Sequence, residues 1–155
     1  QSPIVKVGSI TPTRISIPSI DLDLNIQNPA TRDIGALDEL LKNGPARYVD
    51  SAKLGGAGNM IVFAHSSHLP VVRNPMYKAF NRIPELSAGD TITLIGEDGR
   101  SYIYTVVQVK KANANEDTIP LSTDKTRLTL VTCDTLTSKS SRYILTADFA
   151  GIVGS

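Results

Sequence analysis

One cysteine, Cys133, and two histidines, His65 and His68, are the side chains of this 155-residue chain best suited to nucleophilic or metal chemistry. A lone thiol forms no disulfide within its own chain, so Cys133 is a buried small hydrophobe, a metal ligand or a nucleophile. Its place in the sequence bears on the choice. Cys133 ends a strand-like run, Leu128-Thr129-Leu130-Val131-Thr132, and a polar stretch from Asp134 to Ser141 follows it. A thiol at the end of a strand, opening on a loop, is reachable as a mid-strand thiol is not, and rigid scaffolds commonly present reactive groups there. A nucleophilic Cys needs a His to exchange protons and a donor to stabilise an oxyanion. His65 ends a second apolar run, Met60-Ile61-Val62-Phe63-Ala64, and is followed by Ser66-Ser67. Arg142 opens the segment after the Cys loop, and antiparallel pairing through that loop would bring its guanidinium to the end of the Cys strand.

Each of these residues also has a plainer reading. A single His is often a hydrogen-bonded structural residue, a strand-terminal Arg is often a surface ion-pair partner, and a free Cys is often inert core. His65, His68 and Cys133 together would give zinc three ligands and one open position. That spacing is weak evidence, because neither HExxH nor CxxC is present and His68 runs into Leu69-Pro70. Only the joint pattern of Cys133, His65 and Arg142 sets them apart from these alternatives.

The elements that must position these groups follow from composition. Fifteen Ile, 11 Val and 14 Thr make 40 of 155 residues β-branched, a type that packs well on a pleated surface, so the chain is expected to be mainly β. Strands are expected at Arg14–Ile17, Leu22–Ile26, Asn59–Ala64, Thr91–Ile95, Ser101–Lys110, Arg127–Cys133 and Arg142–Phe149, with Ile4–Val7 a weaker eighth. Period-two alternation in Ser101–Lys110 and the glycine in Glu97-Asp98-Gly99 make Thr91–Lys110 a hairpin. Ile34, Leu37, Leu40 and Leu41 recur at helical spacing until Asn43-Gly44-Pro45 stops them, and Pro75 suits the first position of a short helix through Phe80.

Length suits one domain over residues 1–155, with a loose start over 1–12. Sixteen Lys and Arg against 15 Asp and Glu provide no field to hold a nucleic acid. A mean hydropathy of -0.05 excludes a disordered chain, and no apolar run approaches the roughly 20 residues that span a bilayer.

The string Thr129-Leu130-Val131-Thr132-Cys133 resembles the TLxTC signature of the sortases, with all four fixed positions present. Asn59 to His65 is similar to the sortase strand that ends in the catalytic His, and Ser141 to Thr146 to the strand that bears the Arg. The order His, Cys, Arg is the family's order. Arg14-Ile15-Ser16-Ile17-Pro18 resembles the family's first strand, and Leu86 to Ile92 the segment before its central strands, so the resemblance covers nearly the whole chain. Ala64 stands where many sortases carry Gly.

The resemblance implies a closed β-barrel of about eight strands with one or two short helices, and a cysteine transpeptidase acting on an LPxTG-like sorting signal of surface proteins. Cys133 would attack the signal's Thr carbonyl, His65 would protonate the departing amine, and Arg142 would hydrogen-bond the substrate or the oxyanion. An amine, from a peptidoglycan precursor or a pilin Lys, would resolve the thioester. No cofactor is implied. Ala64, Val131, Thr132, Ile144 and the segment Ile119-Pro120-Leu121 are expected to line an apolar groove for the signal. The enzyme is expected at the bacterial cell envelope, held by a membrane anchor of the full-length protein; the start at Gln1-Ser2-Pro3 looks trimmed. A different cysteine peptidase or acyl-transferase, or a silent β-barrel binding module with a buried Cys133, are the other classes left open.

Overall fold

β-Branched and aromatic residues in short runs between turn residues make strands the main regular structure of the described residues. The computed structural model describes residues 10–66, 74–113, 125–133 and 141–153. Eight strands form one sheet: β1 (Pro12–Ile17), β2 (Leu22–Asn25), β3 (Ala46–Arg47), β4 (Gly58–His65), β5 (Thr91–Gly96), β6 (Ser101–Asn113), β7 (Thr126–Cys133) and β8 (Ser141–Val153). The seven main strand expectations from the sequence all fall on these. The eighth strand is β3, too short to show any alternation, whereas Ile4–Val7 lies outside the described residues.

The sheet runs β2-β1-β5-β6-β8-β7-β4-β3. Its outer strands meet through one parallel bridge, Gln27 with Ala46. There the Gln27 N–H donates to the Pro45 carbonyl at 2.8 Å and the Arg47 N–H to the Gln27 carbonyl at 2.9 Å. The expected closure is therefore slighter than a full barrel: the sheet is curled until its edges touch at one bridge. β3 has only two residues, and Pro45 before it has no N–H to extend the ladder. Arg47 seals this seam. It is 5% exposed, donates from Nε to Asn28 Oδ1 at 2.9 Å, and from Nη1 to the carbonyls of Tyr48 at 3.1 Å and Ser51 at 2.7 Å. Burial lowers its pKa, yet a guanidinium starts high enough to stay charged.

The hairpin β5–β6 pairs Ile95 with Ser101 and turns at Gly99, whose φ of 80° suits a residue without a Cβ. The alternation of β6 does not persist along its whole length. Tyr102, Tyr104 and Val106 face the core, but the pairing with β8 shifts between Val106 and Gln108. Beyond that bulge Val109 packs against the core, and Val107 is left 45% exposed.

The first expected helix is α1 (Ile34–Leu40), capped by Asp33, whose carboxylate accepts from the Ala36 N–H at 2.8 Å. A 3₁₀ turn over Leu41–Asn43 and Gly44 at φ 136° end it as the sequence suggests. Leu37 and Leu41 are buried, while Ile34 is 48% exposed, so the apolar face is narrower than the spacing implied. The second expected helix is a single 3₁₀ turn, Pro75–Lys78, capped by the Asn74 side chain on the Met76 N–H at 3.0 Å. Among the described residues no helix is long and apolar enough to cross a membrane.

Candidate active site

β4 and β7 are parallel neighbours, paired in unbroken register from Gly58 with Thr126 to His65 with Cys133. Adjacent strands lie about 4.8 Å apart, so the two strand ends picked out by sequence are the same rung of one ladder. The side chain of Cys133 lies outside the described set. His65 is 4% exposed, and its carbonyl accepts from the Phe80 N–H at 2.9 Å, which braces the end of β4 against the segment after the 3₁₀ turn.

β8 lies antiparallel on the other side of β7, with Val131 opposite Ile144. Two residues further along each strand, the same alignment brings Arg142 opposite position 133. The Tyr143 N–H donates to Thr132 Oγ1 at 2.9 Å, tying the two strand ends together. Arg142 is half-buried. Backbone pairing thus gathers all three candidate catalytic residues at one edge of three adjacent strands.

Alternation sorts the expected groove residues. Met60, Val62, Ala64, Leu128 and Leu130 belong to the interior core, so the intervening positions, among them Phe63, His65 and Val131, fall on the outer face. Val131 and Ile144 are register partners on the His65 face. Ala64 is instead interior packing, fully buried, and Thr132 shares the parity of Leu130 at 1% exposure. Those two were expected to line the apolar groove, but each adjoins a site residue in its strand, and strand neighbours point to opposite faces. Ile119, Pro120 and Leu121 lie outside the described residues, as does His68. Among the described residues no group of three His, Cys, Asp or Glu is arranged to hold a metal.

Sequence reasoning passed over Phe63, which lies two residues before His65 on its face. It is partly buried against Leu41 and Ala46 and meets Tyr48 edge to face, with centroids 6.3 Å apart at 81°. The signal was available in the strand period. Ile61 and Thr129 share this outer face, and Thr129 donates to Asn59 Oδ1 at 2.7 Å. Further along it, Arg127 pairs with Asp148 at 3.0 Å.

Comparison with known proteins identifies the class to which this curled eight-stranded sheet, with His65 and Cys133 ending parallel neighbouring strands, belongs. The family description for the sortase domain matches residues 15–150. The chain belongs to the sortase family. Sortase A of Bacillus anthracis is 28% identical over 138 residues, 89% of this chain and 59% of the relative; the chain thus spans about three fifths of that protein's length. The fold is similar to that of Listeria monocytogenes sortase A, with a TM-score of 0.68, 23% identity, and 94% of this chain and 90% of that one covered. It is also similar to Corynebacterium diphtheriae sortase A, with a TM-score of 0.70, 22% identity, and coverage of 91% and 61%. A Streptococcus pneumoniae sortase C, studied for pilin substrate specificity, aligns with a TM-score of 0.68, 19% identity, and coverage of 89% and 65%.

Proposed function

We propose that this chain is the catalytic part of a sortase-type transpeptidase that cleaves an LPxTG-like sorting signal of a surface protein and joins the released carboxyl end to an amine. The observation that carries this reading is the rung shared by His65 and Cys133, with Arg142 brought to the same edge by β8. The Cys133 thiolate attacks the carbonyl carbon of the signal's Thr. The C–N bond to the following Gly breaks as the imidazolium of His65 gives its proton to the departing amine, leaving a thioester. An incoming amine attacks the thioester and loses a proton to His65, the C–S bond breaks, and the new amide forms with the thiolate of Cys133 and the imidazolium of His65 regenerated. Arg142 donates hydrogen bonds to the oxyanion of each tetrahedral intermediate, where a permanently charged planar donor is effective.

The acceptor is an amine of a peptidoglycan precursor or the Lys of a pilin, and the fold's likeness both to sortases A and to a pilin-linked sortase C keeps both chemistries in view. Family membership supports a place at the bacterial cell envelope, and the full-length protein is proposed to be membrane-anchored outside the cytoplasm. The whole of residues 1–155 is proposed as a single catalytic domain. The reading is tested by incubating the chain with an LPxTG-type peptide and glycyl or lysyl amines and weighing the products. An amine-linked product that disappears in Cys133→Ala is the expected result. Cleavage at the same rate with no amine incorporated would assign a peptidase instead, and no reaction across a panel of signals and amines would assign a binding module.

A further inference from the structure

We infer that Asn59 and Thr129 form a positioning pair, a buried polar tie that sets the alignment of the two strands carrying His65 and Cys133. The inference rests on the catalytic reading of His65 and Cys133 given above. β4 and β7 are parallel, and residues 66 to 125 lie between them, so no tight turn dictates how they align. On the core face the facing positions are uniformly apolar or small, Met60 with Leu128, Val62 with Leu130 and Ala64 with Thr132, so core packing alone does not distinguish the observed alignment from one slipped by two residues. A one-residue slip is excluded because it would turn Met60, Val62 and Leu128 out of the core. A two-residue slip preserves every face. It would nonetheless move position 133 about 6.6 Å from its place beside His65, beyond the reach of a direct proton transfer.

Asn59 and Thr129 are each 2% exposed, and the Thr129 hydroxyl donates to Asn59 Oδ1 at 2.7 Å. Asn59 stands opposite Arg127 and Thr129 opposite Ile61, so the bond runs diagonally across the ladder. One two-residue slip carries Thr129 out of reach of Asn59. The other puts the pair face to face, but β7 then ends two residues short of His65. A Leu and a Val in these places would fill similar volume at less desolvation cost, so the polar pair adds specificity of alignment rather than stability. It lies four residues before Cys133 and six before His65, between the second and fourth rungs of the ladder.

The chain's lone cysteine makes the alignment measurable. In His65→Cys the only two thiols are at positions 65 and 133, and dibromobimane becomes fluorescent when it bridges them. High bridging is expected in His65→Cys, a severalfold lower yield when Thr129→Val or Asn59→Leu is added, and recovery with Thr129→Ser, which keeps the hydroxyl. Unchanged yield in both folded double variants overturns the inference. A second measurement uses the native His65: Thr129→Val is expected to lower kcat with KM unchanged and to move the pH profile of Cys133 alkylation toward that of His65→Ala, and Thr129→Ser to restore both. A loss of melting temperature alone, with bridging, kcat and the alkylation profile all native, makes the pair merely structural and also overturns it. Lowered bridging with an alkylation profile that is identical in the native chain and His65→Ala supports the alignment role and instead overturns the proton-transfer role of His65.

Discussion

Arg142 and His65 carry the predictions that belong to single residues. If Arg142 meets the oxyanion, Arg142→Ala lowers kcat by about 10²-fold or more, in the range found on removing an oxyanion donor, and leaves KM nearly unchanged. Arg142→Lys keeps the charge but loses the planar fork, so it recovers only part of the rate. Steady-state kinetics on a sorting peptide decide this, and a rise in KM with native kcat would move Arg142 to ground-state binding. An acid and a base acting together produce a bell-shaped dependence of kcat/KM on pH. A rate flat from about pH 5 to 10 would separate His65 from Cys133 in the mechanism. The candidates themselves were visible at this scale, because apolar runs ending in Cys and His before polar loops are a local pattern.

At the scale of elements, the β5–β6 hairpin distinguishes two glycines. A Cβ on Gly96 would come within 2.6 Å of Asp98 Oδ1 and 2.7 Å of Ile10 Cγ2, whereas one on Gly99 would meet nothing within 4 Å. Gly96→Ala is expected to cost about 1–3 kcal/mol by overpacking. Gly99→Ala, held at φ 80°, is expected to cost about 1 kcal/mol of backbone strain. Chemical denaturation should rank them in that order. In the same hairpin the Tyr102 hydroxyl donates to Asp98 Oδ2 at 2.7 Å. Burial, helped by the Asp98 carboxylate, pushes the phenol up to about 12. A folded-state pKa above the unfolded one means the stabilisation is complete below about pH 10 and is lost as pH rises through about 12. Burial raises Tyr104 as well, so phenolate absorbance should show more than one late-titrating tyrosine, and Asp98→Ala should bring only the Tyr102 transition to lower pH. The turn and both strands were legible from alternation and from Glu97-Asp98-Gly99. The bulge after Val106 was not, since an extra residue in a ladder is imposed by the partner strand β8.

For the whole molecule, the seam is the place where the curled sheet is weakest. One bridge joins its edges at Gln27 and Ala46, supported by Gln27 Nε2, which donates to the carbonyls of Leu40 at 2.7 Å and Gly44 at 3.0 Å. Gln27→Ala removes both and is expected to speed amide exchange at Gln27 and Arg47 by local opening, with a loss of about 0.5–1.5 kcal/mol per bond in global stability. Exchange that quickens equally in β4 and β7 would show instead that the seam opens only with the whole sheet.

The sequence by itself determined the strand-rich class, most strand positions, the capped helix and the three polar residues at strand junctions. These follow from side-chain chemistry and from periods of two and 3.6 that act over a few residues. Tertiary structure alone decided that β4 and β7 lie parallel in a register that puts His65 beside Cys133, and that the sheet's edges close at a single bridge. It also decided that Phe63, Val131 and Ile144 share the outer face of the site while Ala64 and Thr132 turn inward. Ala64 and Thr132 were expected in the groove, but a pleat sends neighbouring residues to opposite faces, and only a known core shows which face is which. Pairing between segments separated by sixty residues of chain has no local signature; it is selected by the burial of both faces and, as inferred above, by one hydrogen bond between Thr129 and Asn59.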